Sequence, residues 1–493
     1  MAIDFVSTDT AVLYTAASGN QKKTELLWGD RVDVLQAGSP RSQVKARGKT
    51  GFVKNTSLGG ESLLEVYFID VGQGDGVLIR TPDDRHIMID GGYKRASQPS
   101  GKNAADFVDW KFFKDYGSNE INLDVMIASH NDADHYGGLA DLLDTAQNHE
   151  LDAQVVTIEN FYHAGVGWWV HPTTGARWLG ETTADGKFRT QLVGKRPDVV
   201  NALKPNANPR LQGEWAAFLK NVTGAKTKTG SPTPINRLSQ KNSFLPGYTG
   251  ANGGVAVRVL APFETDLAGT PALHNFGSSD SINTNGNSIL LRLDYGRTRM
   301  LLTGDLNSAS QRTLLDDYTG NRIEFQCDIG KACHHGSDDV SYEFLSAMRP
   351  AVTVISSGDN EGHDHPRPGI VAASATTGYL EITNDRIVSP LIYSTELARS
   401  SNLGRPISVT VAAPTGNTVV NQADLGNVKV EATVTKAGDL NPTKVQRTLD
   451  RTYIVAGLIY GLVNVRTNGS KIICATLGEK DASWEIKTLT SRF

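Results

Sequence analysis

Cysteine, long apolar runs and an excess of either charge are all scarce in this sequence of 493 residues. The three cysteines, Cys327, Cys333 and Cys474, are too few for a disulfide framework or a Cys-rich metal site. No stretch approaches roughly 18 consecutive apolar residues, and the first residues show no basic, apolar leader, so we expect neither a membrane span nor a secretion signal. These absences predict a cytoplasmic protein in a reducing compartment.

The charge balance narrows the class of protein further. Lys and Arg number 49 against 53 Asp and Glu, a net charge of −4. This excludes a generally basic nucleic-acid coat protein and an acidic disordered tail. The chain is too long for one ordinary domain, because domains usually contain roughly 100–200 residues.

Short strands are predicted in the first 60 residues, where apolar side chains alternate at period 2 and glycine-containing turns separate the runs. The segment Gly48–Val53 and the spacing of Leu, Gly and Val up to Val34 resemble a bacterial SH3-like module. The resemblance implies a small all-β barrel over residues 1–60, with a regulatory protein as its partner.

From Leu63 onward, predicted strands alternate with predicted helices, which indicates an α/β layered fold. The helical segments are predicted at 104–113, 138–146, 308–317 and 341–348, and a hairpin at 287–305.

A dense group of polar residues follows the buried strand that ends near Ala128. Within six positions the chain carries His130, Asp132, Asp134 and His135. Imidazole and carboxylate groups are ligands of first-row metals, and a tight loop can turn all four side chains towards one point. Asp132 or Asp134 could instead cap the next helix, but capping needs no histidines.

This motif, followed by Gly137 and Gly138, resembles the metal-binding motif of the metallo-β-lactamase fold. The variant with Asp at position 132 resembles the motif in the soluble domain of the ComEC-like competence proteins. Further matching segments occur in the right order: 68–75, 88–92, 285–288, 301–305, 334–337 and 365–366. The resemblance covers about residues 64–370. It implies an αββα sandwich at 61–400, with 401–493 as a β-rich segment that closes the sandwich.

The resemblance also implies roles for individual residues. His130 and Asp132 would hold one metal ion, Asp134 and His135 a second, and Asp305 would bridge them. His334 or His365 would complete the second site, and either His334 or His335 would protonate the leaving oxygen. The implied catalytic residues are therefore Asp134, His334 and His335. The implied metal ligands are His130, Asp132, Asp134, His135, Asp305, His334 and His365.

Other polar residues are left with weaker roles. His163 and His363 remain alternative ligands, Asp90 would orient a ligand histidine, and Asp70 and Asp75 would shape loops. The resemblance implies two divalent metal ions, Mn²⁺ or Zn²⁺, with Mg²⁺ as a further alternative. The hard oxygen ligand Asp132 shifts the preference from Zn²⁺ towards Mn²⁺ or Mg²⁺.

A basic insertion is predicted at 160–250, where periodicity is weak. Eleven basic residues against two acidic ones give positions 187–241 a charge of +9. Such a segment would concentrate polyanions, with Lys220, Lys226 and Lys228 as substrate-binding residues. The aromatic residues Trp215, Phe218, Phe244 and Tyr248 would stack bases. The alternative is a solvated insert whose aromatic residues lie in the core.

The sequence thus predicts a metal-dependent phosphodiesterase, specifically a nuclease acting on nucleic acid, with DNA favoured. One alternative is a hydrolase of a small ester, thioester or lactone, because the same fold supports many reactions. The other is a non-enzymatic binding module with a structural metal.

Overall fold

The computed structural model describes residues 2–98, 101–358, 365–395, 408–411, 415–421, 429–434, 443–448, 454–456, 462–478 and 483–493. Its first six strands form one antiparallel sheet in the order β1-β4-β5-β6-β2-β3. They are β1 Ala2–Phe5, β2 Thr10–Tyr14, β3 Lys22–Leu27, β4 Arg31–Gln36, β5 Arg41–Ala46 and β6 Lys49–Lys54. Apolar residues that include Leu13, Val32 and Val44 enclose a separate core. The resemblance to a bacterial SH3-like module stays a prediction.

The next part of the chain alternates strands with helices. Its strands are β7 Leu64–Phe68, β8 Val77–Arg80, β9 His86–Ile89, β10 Glu120–Leu123, β11 Val125–Ala128, β12 Val155–Ile158, β13 Phe161–His163, β14 Trp169–Val170, β15 Arg177–Trp178, β16 Phe188–Arg189 and β17 Ile235–Arg237. Its helices are α1 Ala104–Trp110, continued by a π-helical turn, α2 Ala133–Leu143, α3 Arg196–Ala202 and α4 Gly213–Gly224.

The remaining elements begin with a β-rich stretch. The strands are β18 Phe244–Thr249, β19 Ala256–Ala261, β20 Glu264–Leu267, β21 Thr270–His274, β22 Leu290–Tyr295, β23 Thr298–Leu302, β24 Ile329–Lys331, β25 Val352–Ile355, β26 Glu381–Thr383, β27 Arg386–Ser389, β28 Leu391–Ser394, β29 Ser408–Val411, β30 Thr418–Asn421, β31 Lys429–Val434, β32 Thr443–Thr448, β33 Ile454–Ala456, β34 Val463–Thr467, β35 Lys471–Gly478 and β36 Ser483–Thr490. The helices are α5 Asp280–Gly286, α6 Ser308–Asp317, α7 Tyr342–Met348 and α8 Pro368–Thr377.

Two large sheets make the centre of the molecule. One has nine strands in the order β17-β13-β11-β9-β8-β7-β34-β35-β36, and the other has eight in the order β18-β19-β22-β23-β24-β25-β28-β33. Side chains alternate between the two faces of a strand. Val66 and Phe68 therefore enter the core between the sheets, whereas Tyr67 enters the core on the helical side.

Helices cover the outer face of each sheet. Residues of α1, α2 and α4 pack with the nine-stranded sheet, and residues of α6, α7 and α8 pack with the eight-stranded sheet. The layer order is thus αββα, as the resemblance implied. No helix in the described part of the chain is long and apolar enough to cross a membrane.

The basic insertion is shorter and more ordered than the sequence indicated. β13 and β17 belong to the nine-stranded sheet and β18 to the eight-stranded sheet, so the inserted segment is 164–234 and not 160–250. Its helix α4 buries Trp215, Phe218 and Val222 against the core. These residues have helical spacing, which the many Gly, Asn and Thr residues around them obscured. The prediction that Trp215, Phe218 and Tyr248 stack bases is wrong, because all three side chains are buried.

A buried ion network joins the N-terminal sheet to the sandwich. Arg466 on β34 donates to Asp30 Oδ1 at 2.7 Å and to the Trp28 carbonyl at 2.6 Å, and it lies 3.5 Å from Glu65 Oε2. Arg80 pairs with the other oxygen of Glu65 at 2.8 Å. Burial opposes ionisation of Glu65, but Arg466 and Arg80 outweigh it and lower its pKa to about 2.

Replacing Arg466 should destabilise the fold. Arg466→Met leaves Asp30 and Glu65 buried with less compensating charge, and we expect the free energy of unfolding to fall by about 3–5 kcal/mol. Guanidinium denaturation measures the change. The matched control is Lys187→Met, because Lys187 pairs with Asp185 on the exposed surface, where a pair contributes less than about 1 kcal/mol. Equal shifts in both variants would contradict a stabilising role for the network.

Candidate metal centre

The loop between β11 and α2 carries the polar motif. Helix α2 begins at Ala133, earlier than the predicted start at 138, so Asp134 and His135 lie in its first turn. Asp132 occupies the N-cap position but makes no side-chain capping bond. Its Oδ2 instead accepts a hydrogen bond from Thr284 Oγ1 at 2.9 Å. Helix capping by Asp132 therefore does not explain the motif.

Four buried side chains meet beside this loop: Asp75, His135, Asp305 and His335. One potential ligand atom from each lies within 4.8 Å of the others. Asp305 Oδ2 is 3.1 Å from His135 Nε2 and 2.9 Å from His335 Nε2. The two Nε2 atoms are themselves 3.2 Å apart. Imidazole nitrogens and carboxylate oxygens thus point at a common centre.

The other sequence-predicted metal residues surround this centre. Asp134 Oδ2 lies 3.5 Å from His335 Nε2, and His130 Nε2 lies 3.7 Å from Asp132 Oδ2. His334 Nε2 is 4.0 Å from Asp305 Oδ2 and 3.2 Å from the Asn285 amide nitrogen. The ring of His365 is 5.8 Å from that of His334. The structure therefore brings together all seven residues.

Neighbouring groups fix the orientation of the histidines. Asp90 Oδ2 lies 2.8 Å from His135 Nδ1, and its other oxygen accepts from the Ser129 amide at 2.7 Å. The Ser356 carbonyl lies 3.1 Å from His335 Nδ1. With Nδ1 held in this way, Nε2 of each imidazole is directed to the centre.

The expectation that Asp75 only shapes a loop is wrong. Its Oδ2 pairs with Lys331 Nζ at 2.6 Å, and its Oδ1 lies 3.3 Å from His335 Nδ1. The preceding Gly74 has φ +121°, and a Cβ there would meet the Asp134 carbonyl at 2.1 Å. The glycines around Gln73 were the signal that this loop approaches the motif closely. Asp70, by contrast, accepts from the Gly72 amide within its own loop.

The charges in the cluster shift several pKa values. Burial, together with Asp134, raises the pKa of Asp132 to about 7. Burial lowers the pKa of His130 to about 3. Burial opposes charge on His135 and His335, but Asp305 and the other carboxylates nearby together outweigh it and hold the pKa of each imidazole well above its ordinary value. The cluster therefore attracts positive charge strongly.

The donor set fits divalent metal ions. His130 Nε2 and Asp305 Oδ1 are buried and have no hydrogen-bond partner among the described residues, although each is a good ligand atom. Carboxylate and imidazole ligands, without thiolates, suit Mn²⁺, Mg²⁺ or Zn²⁺. The seven predicted ligands and Asp75 are the residues available to hold such ions.

A cavity of about 400 Å³ opens above the cluster. Asp132, Asp134, Asp305, His334 and His365 line its floor. Its walls include residues to which the sequence assigned no role in the site: Tyr93, Asn131, Tyr136, Trp168, Arg177, Glu214 and Ser281. Gln73, Trp215 and Asn285 also line it. A substrate group in this cavity would therefore lie directly against the predicted ligands.

Other predicted residues lie elsewhere. His163 is buried, and its Nε2 lies 3.0 Å from the Gly194 carbonyl, outside the cavity lining. His363 lies outside the described residues. Lys220, Lys226 and Lys228 are exposed, and none of them lines the cavity. These lysines are therefore not positioned to contact a group held in the cavity.

Comparison with known proteins gives the family of the central region. Residues 69–216 match the model of the Metallo-beta-lactamase superfamily. This stretch holds the loop of His130 to His135, so the chain contains a metallo-β-lactamase domain.

Two curated proteins resemble shorter parts of the chain. Competence protein ComA of Neisseria gonorrhoeae is 35% identical over 91 residues, which are 18% of this chain and 13% of that protein. ComE operon protein 3 of Bacillus subtilis is 27% identical over 93 residues, 19% of this chain and 12% of that protein. The chain thus matches about an eighth of the length of either relative.

Two solved structures align with a large part of the chain, but their sequence identity and structural similarity to it are low. A protein named as a metal-dependent hydrolase from Parabacteroides distasonis aligns over 70% of this chain and 96% of that protein's chain, with 7% identity and a TM-score of 0.27. A protein named as a metal-dependent hydrolase of the beta-lactamase superfamily aligns over 60% of this chain and 89% of that protein's chain, with 14% identity and a TM-score of 0.27. The assignment of the domain rests on the family match.

Removing the charge of Asp305 should weaken metal binding. Asp305→Asn keeps the shape of the side chain but removes the carboxylate between His135 and His335, and we expect loss of at least one bound ion per chain. Elemental analysis after loading with Mn²⁺ measures it. The matched control is Asp316→Asn, an exposed position on α6. Full metal content in Asp305→Asn would show that Asp305 is not a ligand.

Proposed function

We propose that this protein is a metal-dependent phosphodiesterase that cleaves nucleic acid, with DNA as the favoured substrate. The observation that carries the proposal is the cluster of histidines and aspartates at the floor of an open cavity. Structural metal sites are usually closed and rich in cysteine, whereas this cluster is rich in carboxylates and borders a cavity. The alternative of a non-enzymatic module with a structural metal is therefore less well supported.

The ligands divide between two ions in this proposal. His130 and Asp132 would hold one, Asp134 and His135 the other, and Asp305 would bridge them. Two such ions supply a nucleophilic hydroxide at neutral pH and stabilise negative charge on the phosphate oxygens. Among the histidines after β24, the buried His335 suits a ligand role.

His334 is better placed to transfer a proton than His335. Its side chain is 25% exposed and lines the cavity, whereas that of His335 is fully buried. Asn285 holds the ring through Nε2. We assign His334 the protonation of the leaving oxygen.

Nucleic acid is the preferred substrate for two reasons. The inserted segment carries most of the basic residues counted above, and polyanions bind basic surfaces with release of counterions. One relative is named Competence protein ComA and another ComE operon protein 3, and the ComEC-like resemblance implies DNA cleavage. A role for Lys220, Lys226 and Lys228 in binding a long strand outside the cavity stays a prediction, as do the cytoplasmic location and a regulatory partner of the N-terminal sheet.

Small esters, thioesters and lactones remain the second candidate substrates, because a cavity of about 400 Å³ also suits small molecules. The deciding assay supplies the metal-stripped protein with Mn²⁺, Zn²⁺ or Mg²⁺. Single- and double-stranded DNA, RNA, a chromogenic phosphodiester and a carboxylic ester are then offered in parallel. We expect cleavage of phosphodiesters and its loss in Asp305→Asn. Turnover of the ester alone would contradict the proposal.

Residue 132 should determine the metal preference. Asp132→His replaces a hard oxygen ligand by a softer nitrogen, so the ratio of activity with Zn²⁺ to activity with Mn²⁺ should rise. The control Thr284→Val removes the hydrogen bond to Asp132 but keeps the carboxylate, and it should lower activity without raising this ratio. An unchanged ratio in Asp132→His would show that Asp132 does not contact a metal.

A further inference from the structure

One wall of the cavity comes from the inserted segment 164–234 and stands next to the metal-binding loop. Trp168 Nε1 donates to the Asn131 carbonyl at 3.2 Å, and Asn131 lies between His130 and Asp132 in the chain. Trp168 is buried. The wall is therefore fixed to the loop that carries two of the predicted ligands.

Arg177 adds a positive charge to this wall. Its guanidinium carbon lies 4.0 Å from the centre of the Trp168 ring, and the residue lines the cavity. No ion pair within the described ranges includes Arg177, whereas the acidic residue of the same wall, Glu214, pairs with Lys94 at 3.6 Å. Stacking on the indole restricts the guanidinium, so less order has to be gained when an anion binds.

Buried polar atoms in the same cavity also lack partners. The side-chain amide of Asn131, Gln73 Oε1 and Trp215 Nε1 are buried and unbonded within the described part of the chain. All three residues line the cavity. Because an unsatisfied buried polar group costs roughly 1–3 kcal/mol, these atoms favour a polar ligand in the cavity that Arg177 also lines.

We propose that this wall is a subsite for a second anionic group of the substrate, held by Arg177 beside the phosphodiester at the metal centre. The proposal rests on the proposed function and specifies its substrate: a nucleotide unit with phosphate groups on both sides. A cavity of about 400 Å³ is in the size range of pockets that hold a small molecule such as one nucleotide unit. Arg177 covers one face of Trp168, so that face binds no base.

Binding of small nucleotides tests the subsite without requiring turnover. Calorimetry compares thymidine 3′,5′-bisphosphate with thymidine 5′-monophosphate on the Mn²⁺-loaded full chain. We expect the unaltered protein to prefer the bisphosphate by about tenfold or more, as a charge-assisted hydrogen bond allows. Arg177→Gln should abolish this preference. Arg177→Lys should keep part of it, because lysine retains the charge but loses the planar fork.

The matched control is Arg210→Gln, an exposed arginine of the same segment outside the cavity lining, which should keep the full preference. An unchanged preference in Arg177→Gln would overturn the subsite, because the metal centre alone would then explain binding. Cleavage of oligonucleotides without any preference in the unaltered protein would also overturn it. If the preference depends on Arg177 but no phosphodiester is cleaved, the subsite stands and the proposed function fails.

Discussion

The contact of Asp305 with two buried imidazoles governs how the sandwich is closed at the edge that carries the cavity. Asp305 follows β23 of the eight-stranded sheet, and His135 lies in the first turn of α2, which follows β11 of the nine-stranded sheet. Apolar packing joins the sheets elsewhere, but here carboxylates and imidazoles lie within 3.2 Å of one another. Buried charge is costly unless opposite charge compensates it. The buried charge at this edge is therefore suited to divalent metal ions, which would compensate it.

Short-range patterns were enough to predict an α/β layered fold and the polar motif after β11, whereas the αββα order and the roles of individual residues were implied by the resemblance to a known family. The end of the buried strand and the polar residues after it, His130, Asp132 and their neighbours, lie within a few positions of one another. This pattern can therefore be recognised in the sequence without knowledge of the fold. Long-range pairs were not predictable in this way. Asp75 lies in the loop after β7 and Lys331 ends β24 of the other sheet, so the two meet only in the folded chain. Helix α4 was missed because Gly, Asn and Thr obscured the spacing of Trp215 and Phe218.

The basic residues of the inserted segment lie in two different environments, on the exposed surface and in the cavity lining, which the composition does not distinguish. Lys220 and Lys226 are exposed and away from the cavity lining, so any action on a polyanion is long-range and sensitive to salt. Arg177 lines the cavity and lies on Trp168, so its charge acts at short range with fixed geometry. In the proposed function, the inserted segment would attract a strand through its exposed lysines and would position a single nucleotide through Arg177. Net charge alone could not distinguish these roles.

The parts of the chain farthest from the motif also bear on the metal centre. Strand β34 pairs with β7 so that Arg466 stands opposite Glu65, and Arg466 anchors Asp30 of the N-terminal sheet. Strand β7 leads into the loop that carries Asp75, whose carboxylate lies against His335 and Lys331. Ion pairs thus hold both ends of this path, at Glu65 and at Asp75. Because β7 is clamped between β8 and β34, the position of Asp75 depends on the C-terminal strands as well as on its own loop.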